Sequence, residues 1–195
     1  MDYYRSVVAV LGEPRNLFAD SDSWSHLEGS LGMEFPSEYK RIVDAYAPVQ
    51  LNNHLYLDHP ANPLRPLGAW IARTVESFES TSWGDVESSA LGSFELKFGG
   101  RSGMIPIAST DRGEYAFLAR TENLDIGAIV TWGRDAPEFY VRRMGFGEWL
   151  CRYLAGEAMF VPGVTALYPG PLVLESLPTE PGERQVRWYG PERGM

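Results

Sequence analysis

Residues 104–142 read MIPIASTDRGEYAFLARTENLDIGAIVTWGRDAPEFYVR, and the parsing of this stretch decides the fold. Four short apolar runs stand at hairpin spacing: Met104–Ile107, Tyr115–Leu118, Ala128–Trp132 and Phe139–Arg142. Between them lie Asp111-Arg112-Gly113, Asn123-Leu-Asp-Ile-Gly127 and Gly133-Arg-Asp-Ala-Pro137, all rich in residues that favour turns. Short β-prone runs separated by such turns predict an antiparallel meander.

The periodicity upstream is different. Tyr4, Val7, Val8 and Leu11 fall on one helical face, which Gly12 and Pro14 end. Trp24, Leu27 and Leu31 mark a second face, stopped at Gly32. A third helix opens at Phe35-Pro36-Ser37-Glu38, with Pro36 placed in its first turn, and buries Tyr39, Ile42, Val43 and Tyr46. Leu67, Trp70, Ile71, Thr74 and Phe78 predict a fourth. Downstream of the meander, Phe146, Trp149, Leu150, Tyr153 and Leu154 predict a last one. Residues 49–57 read as one strand or a hairpin around Asn52-Asn53, and Phe94–Phe98 alternates like a strand. Helices, then a meander, then a helix is an α+β order rather than alternating βαβ. The expectation is a twisted, mainly antiparallel sheet of about five or six strands with helices packed on it.

Residues 1–160 are read as one domain. Residues 161–195 form a C-terminal extension holding six Pro and five Gly, in which Leu172–Leu174 and Val186–Tyr189 are short enough to dock as extended segments. The chain has 195 residues, 17 basic against 26 acidic, for a net charge of −9. Of this, residues 1–160 carry 14 − 22 = −8, so the charge belongs to the domain and not to the extension. An acidic surface excludes a general binder of nucleic acid or anionic membrane, which needs clustered Lys and Arg. The lone Cys151 excludes an intrachain disulfide. No signal-like or membrane-spanning run occurs, so a cytoplasmic protein is expected.

Tests for chemistry return little. No Gly-x-Ser-x-Gly elbow, His-x-x-x-His pair or Gly-Lys-Ser/Thr loop occurs. His54 and His59 flank Asp58 and are read as parts of a polar strand and loop, so neither a metal nor a cofactor is expected. Acids collect in the meander turns: Asp111, Glu114, Glu122, Asp125, Asp135 and Glu138. They have no His or Lys beside them in sequence. A face for a basic partner accounts for them with fewer requirements than acid–base catalysis.

The order of motifs resembles the SUKH superfamily, which includes cell-wall-assembly regulators and bacterial toxin-immunity proteins. The resemblance rests on Trp24, Leu27-Glu28, Leu31-Gly32 and Phe35-Pro36-Ser37-Glu38-Tyr39-Lys40. It continues through Ile105-Pro106-Ile107, Asp111-Arg112-Gly113-Glu114, Ile129-Val130-Thr131-Trp132 and Phe146–Leu154. It covers residues 20–157, and its turn departs from the usual Gly-Asp. The resemblance implies a protein-binding module and not an enzyme, in particular an immunity protein that neutralises a cognate toxin domain, such as a basic nuclease or deaminase. Expected contacts are Asp111, Glu114, Asp135 and Glu138, with Trp132 either an anchor or part of the core. Two other readings stand beside it: a regulatory or scaffold protein with an endogenous partner, and a small hydrolase using the turn carboxylates.

Overall fold

The computed structural model describes residues 2–19, 21–83, 96–100, 102–119, 128–134, 138–163 and 171–192. Helix α1 (Tyr3–Leu11) begins where the Asp2 carboxylate accepts the Arg5 N–H at 3.3 Å and ends at Gly12, whose φ of 86° suits a residue without Cβ. It buries Val7 and Leu11. Helix α2 (Ser21–Leu31) buries Trp24 and Leu27 and stops at Gly32, also at positive φ. Helix α3 (Ser37–Tyr46) presents Tyr39, Ile42, Val43 and Tyr46 to the core. Pro36 caps it from outside, not from within its first turn, with extended backbone torsions.

Residues 49–57 form a hairpin of β1 (Val49–Leu51) and β2 (Leu55–Leu57). Asn52 and Asn53 take φ of 52° and 51°, the left-handed pair that a tight hairpin requires and that Asn tolerates. Helix α4 (Leu67–Glu79) follows, burying Leu67, Ile71, Thr74 and Phe78. The meander then supplies β3 (Ile105–Thr110), β4 (Tyr115–Ala119), β5 (Ala128–Trp132) and β6 (Phe139–Arg142), and α5 (Phe146–Leu154) packs back beneath it. In the β3–β4 pair the register shifts between Pro106 and Ala108, so Ile107 is an extra residue in β3. Its carbonyl accepts the Tyr39 hydroxyl at 3.1 Å, a bond that ties α3 to the sheet.

Among the described residues the sheet has eight antiparallel strands in the order β6-β5-β4-β3-β2-β1-β7-β8, more than the five or six expected. The additional two come from the C-terminal extension. β7 (Val173–Ser176) lies along β1 with Leu174 opposite Leu51, and β8 (Arg187–Tyr189) covers β7. Asn52 secures the junction: its backbone N–H donates to the Val173 carbonyl at 2.7 Å and its side-chain oxygen accepts the Val173 N–H at 2.9 Å. Of the expected strand at 94–98, Phe94 and Glu95 lie outside the described residues, and Phe98 forms an isolated parallel bridge with Met104.

Alternation along β4 and β5 divides the apolar residues between two clusters. Ala116, Leu118 and Ile129 join Trp149, Leu150, Tyr153 and the α1–α3 residues. Phe117, Val130 and Phe139 join Phe78, Phe98 and Met104. Full burial of a side chain such as Phe117 contributes about 2–3 kcal/mol.

Candidate functional site

Register places several turns at one end of the sheet. Leu55 lies opposite Thr110, so the 52–54 turn adjoins the 111–114 turn. Tyr115 lies opposite Trp132 and Trp132 opposite Phe139, so the residues that follow β5, Gly133 and Arg134, adjoin the 111–114 turn too. A Cβ on Gly113 would sit 3.5 Å from the Arg134 side chain, in keeping with that close approach. This end therefore brings together Asp111, Glu114, Trp132 and Glu138 from the expected set. Asp135 lies outside the described residues.

The four play different parts. Asp111 is half exposed and its side chain pairs with His54 Nδ1. Glu114 is 9% exposed. Its Oε2 accepts the Thr110 hydroxyl at 2.9 Å and faces His54 Nε2 at 3.3 Å, and its backbone N–H donates to Thr110 Oγ1. Glu138 is exposed and accepts the Tyr140 hydroxyl at 2.8 Å. Trp132 is half-buried. Its ring packs against Phe78 at 5.2 Å and against Trp83 and Tyr115 at 6.0 Å, while its indole N–H is buried and makes no hydrogen bond among the described residues. Trp132 thus belongs to the border of the aromatic cluster, with part of its surface facing outward.

His54 corrects the sequence reading. It is no ordinary polar strand residue, and the turn acids do have a histidine companion. It is buried, lies beside Tyr153 with the rings tilted by 30° and their centroids 6.2 Å apart, and meets a carboxylate at each ring nitrogen. Burial opposes its charge, but Glu114 and Asp111 outweigh burial and hold its pKa above the usual histidine value. The two carboxylates lie at opposite ends of the ring and do not converge. Among the described residues no group of three His, Cys, Asp or Glu is arranged to hold a metal. The signal for His54 was long-range: it is 57 positions from Asp111, and only the hairpin next to the meander brings them together.

The second histidine serves the core. His59 Nδ1 accepts the Ala61 N–H at 3.0 Å, which leaves Nε2 as the N–H that faces Asp44 at 3.0 Å. Asp44 also accepts the Trp24 indole N–H at 2.7 Å. Asp58 beside it is buried and, although Arg65 lies 3.4 Å away, burial raises its carboxyl pKa.

The motif residues that carry the resemblance are mostly structural ties. Trp24 packs against Phe35 and Tyr39 at 5.6 and 5.9 Å. Glu28 Oε1 accepts both the Phe35 N–H and the Lys40 ammonium at 2.8 Å. Glu38 reaches across to α5 and accepts the Gly147 N–H at 3.1 Å, in the first turn where helix N–H groups lack partners. These contacts explain why Trp, Glu, Phe-Pro and Tyr-Lys stand at these spacings: they lock α2, α3 and α5 onto the sheet.

Among the described residues no helix is long and apolar enough to cross a membrane. No curated protein matches the chain. The model of the SMI1 / KNR4 family (SUKH-1) matches residues 19–152, which span α2 through most of α5 and include the sheet end just described. With that match over more than half its length, and with the α+β sheet and motif contacts in place, the chain belongs to the SMI1 / KNR4 family, SUKH-1.

Proposed function

We propose that this chain is a non-enzymatic, protein-binding member of its family, an immunity protein that neutralises a cognate toxin domain in the cytoplasm. The observation that carries the reading is the sheet end. Asp111 is half exposed in the 111–114 turn, Glu138 is exposed just before β6, and Trp132 ends β5 between its partners Tyr115 and Phe139 with part of its surface outward, on a chain with a net charge of −9. Asp135 stands in the same β5–β6 connection by sequence and is proposed as a further contact. Glu114 shapes the turn from within. Arg112 and Arg134 are exposed in the same turns, so the face is patterned in charge, which favours specificity over indiscriminate attraction. A basic toxin, such as a nuclease or deaminase domain, fits this surface, and complementary charge speeds encounter.

Catalysis by the turn carboxylates is disfavoured by the same geometry. Both nitrogens of His54 are engaged by acids, and Glu114 is taken up by Thr110, so no ring nitrogen is left to move a proton for a substrate.

The test is co-expression with the toxin-domain protein encoded beside this chain's gene. Growth rescue, direct binding, and an association rate that falls with salt and with Asp111→Lys/Glu138→Lys are expected. Binding to a housekeeping product of the operon instead would favour the regulatory reading. Failure to rescue or bind any neighbouring toxin would refute the immunity role.

A further inference from the structure

His54 projects from the end of the β1–β2 turn into the β3–β4 turn, and the contacts there are reciprocal. The Asp111 backbone N–H donates to the His54 carbonyl at 3.0 Å. The Asp111 carboxylate meets Nδ1, and Glu114 Oε2 lies 3.3 Å from Nε2. Thr110 Oγ1 sits beneath, accepting the Arg112 and Glu114 N–H groups and donating its own hydrogen to Glu114. The turn is thus wound around one imidazole.

A neutral imidazole carries one N–H, so one of the two carboxylates would face a ring lone pair. The imidazolium supplies a donor to each. We infer that His54, as a doubly protonated imidazolium, is the positioning residue that fixes the 111–114 turn in the shape presented at the sheet end. The groups around it support this charge. Asp111 and Glu114 come from the β3–β4 turn, with Arg112 between them. Tyr153 lies beside it from α5 with its ring tilted by 30°, and Glu157, Met159 and Phe160, which follow that helix, line the same small depression. Glu157 is itself 3.6 Å from Arg152. Two carboxylates face one buried ring, so only the charged ring offsets part of their negative charge and offers each a donor, and the elevated His54 pKa agrees. The consequence for binding rests on the proposed interface, but the positioning role does not.

The experiment uses the full chain. Imidazole 15N–1H spectra, with His54→Gln to assign the ring among His26, His54 and His59, report its protonation. Amide hydrogen exchange of Asp111, Gly113 and Glu114 is read over the same pH series and corrected for intrinsic exchange. The expected result is a His54 ring that holds a proton on both nitrogens below its midpoint, with that midpoint above 6.5. Protection of the three amides should fall about tenfold as pH rises through that midpoint, as expected when one charge-assisted hydrogen bond breaks. His54→Gln should show the weakened protection already at pH 6. A midpoint at or below 6.5, or turn protection that ignores both pH and His54→Gln, overturns the inference, and wild-type titration alone suffices should the variant fold poorly. With a toxin in hand, its association rate should track the same midpoint. A toxin that binds at a pH-independent rate to a pH-independent turn refutes the positioning role and leaves the immunity role standing. The absence of any toxin partner, with the spectra as expected, does the reverse.

Discussion

Replacing Gly147 by alanine should destabilise the protein, yet stabilise it once Glu38 has been shortened. A Cβ at Gly147 falls 2.5 Å from Glu38 Cδ and 2.6 Å from each carboxylate oxygen. The carboxylate must therefore swing away, breaking its bond from the Gly147 N–H. A hydrogen bond to a charged group contributes about 1.5–3 kcal/mol, and alanine in place of glycine in a helix returns up to about 0.5–1 kcal/mol. Gly147→Ala should thus cost about 1–2 kcal/mol, a fall of about 2–8 °C in Tm for a chain of this size. In Glu38→Ala the obstacle is gone, and the same substitution should gain up to about 0.5–1 kcal/mol. Denaturant unfolding of the four proteins, followed by tryptophan fluorescence with m held constant, measures the cycle. An equal loss from Gly147→Ala in both backgrounds would show that Glu38 is not what occupies the space, and the argument would fail.

Glu28→Ala should cost about 2–3 kcal/mol, because it leaves the Phe35 N–H without its acceptor, while Glu28→Gln, whose amide oxygen still accepts, should cost about 1 kcal/mol or less. Equal losses in chemical denaturation would assign the effect to the Lys40 ion pair instead. Burial, with Glu38 and Glu148 adding to it, pushes the Cys151 thiol up to about 11, so a thiol reagent at pH 8 should label the native protein slowly and the urea-unfolded chain rapidly. Comparable rates in the two states contradict that. For His54 the folded pKa lies above the unfolded value of 6.5, so its contribution to stability is complete below pH 6.5 and is lost as pH rises through the folded value. The stability gap between wild type and His54→Gln should therefore narrow from pH 6 to pH 9; a constant or widening gap in urea titrations would refute the sign.

The helices were legible because each buries a stripe that repeats at helical spacing, as Tyr39, Ile42, Val43 and Tyr46 do in α3. The meander was legible because each strand meets its neighbour in sequence across a turn. What escaped local reading depends on distant pairing. Val173–Ser176 is only four residues long and finds its partner at Val49–Leu51, on the far side of the sheet from the strand that precedes it in the chain. Gly and Pro density marked residues 161–195 as non-helical but carried no information about which edge they would join. His54 failed to stand out for a related reason. Next to Asn52-Asn53 it looks like ordinary turn polarity, and its carboxylate partners belong to another hairpin. Trp132 was open between core and surface, and the structure gives it a share of both.

The pairing of β7 with β1 also sets a clock on synthesis. Leu51 and Leu174 lie 174 − 51 = 123 positions apart. A ribosome adding about 5–20 residues per second needs about 6–25 s to make the intervening chain. During that interval β1 has β2 on one side and an unfilled row of backbone donors and acceptors on the other, the kind of edge that recruits strands from other chains. The nascent protein is thus open to self-association through this edge from the making of β1 until β7 emerges, and truncations that remove β7 should prolong that state indefinitely.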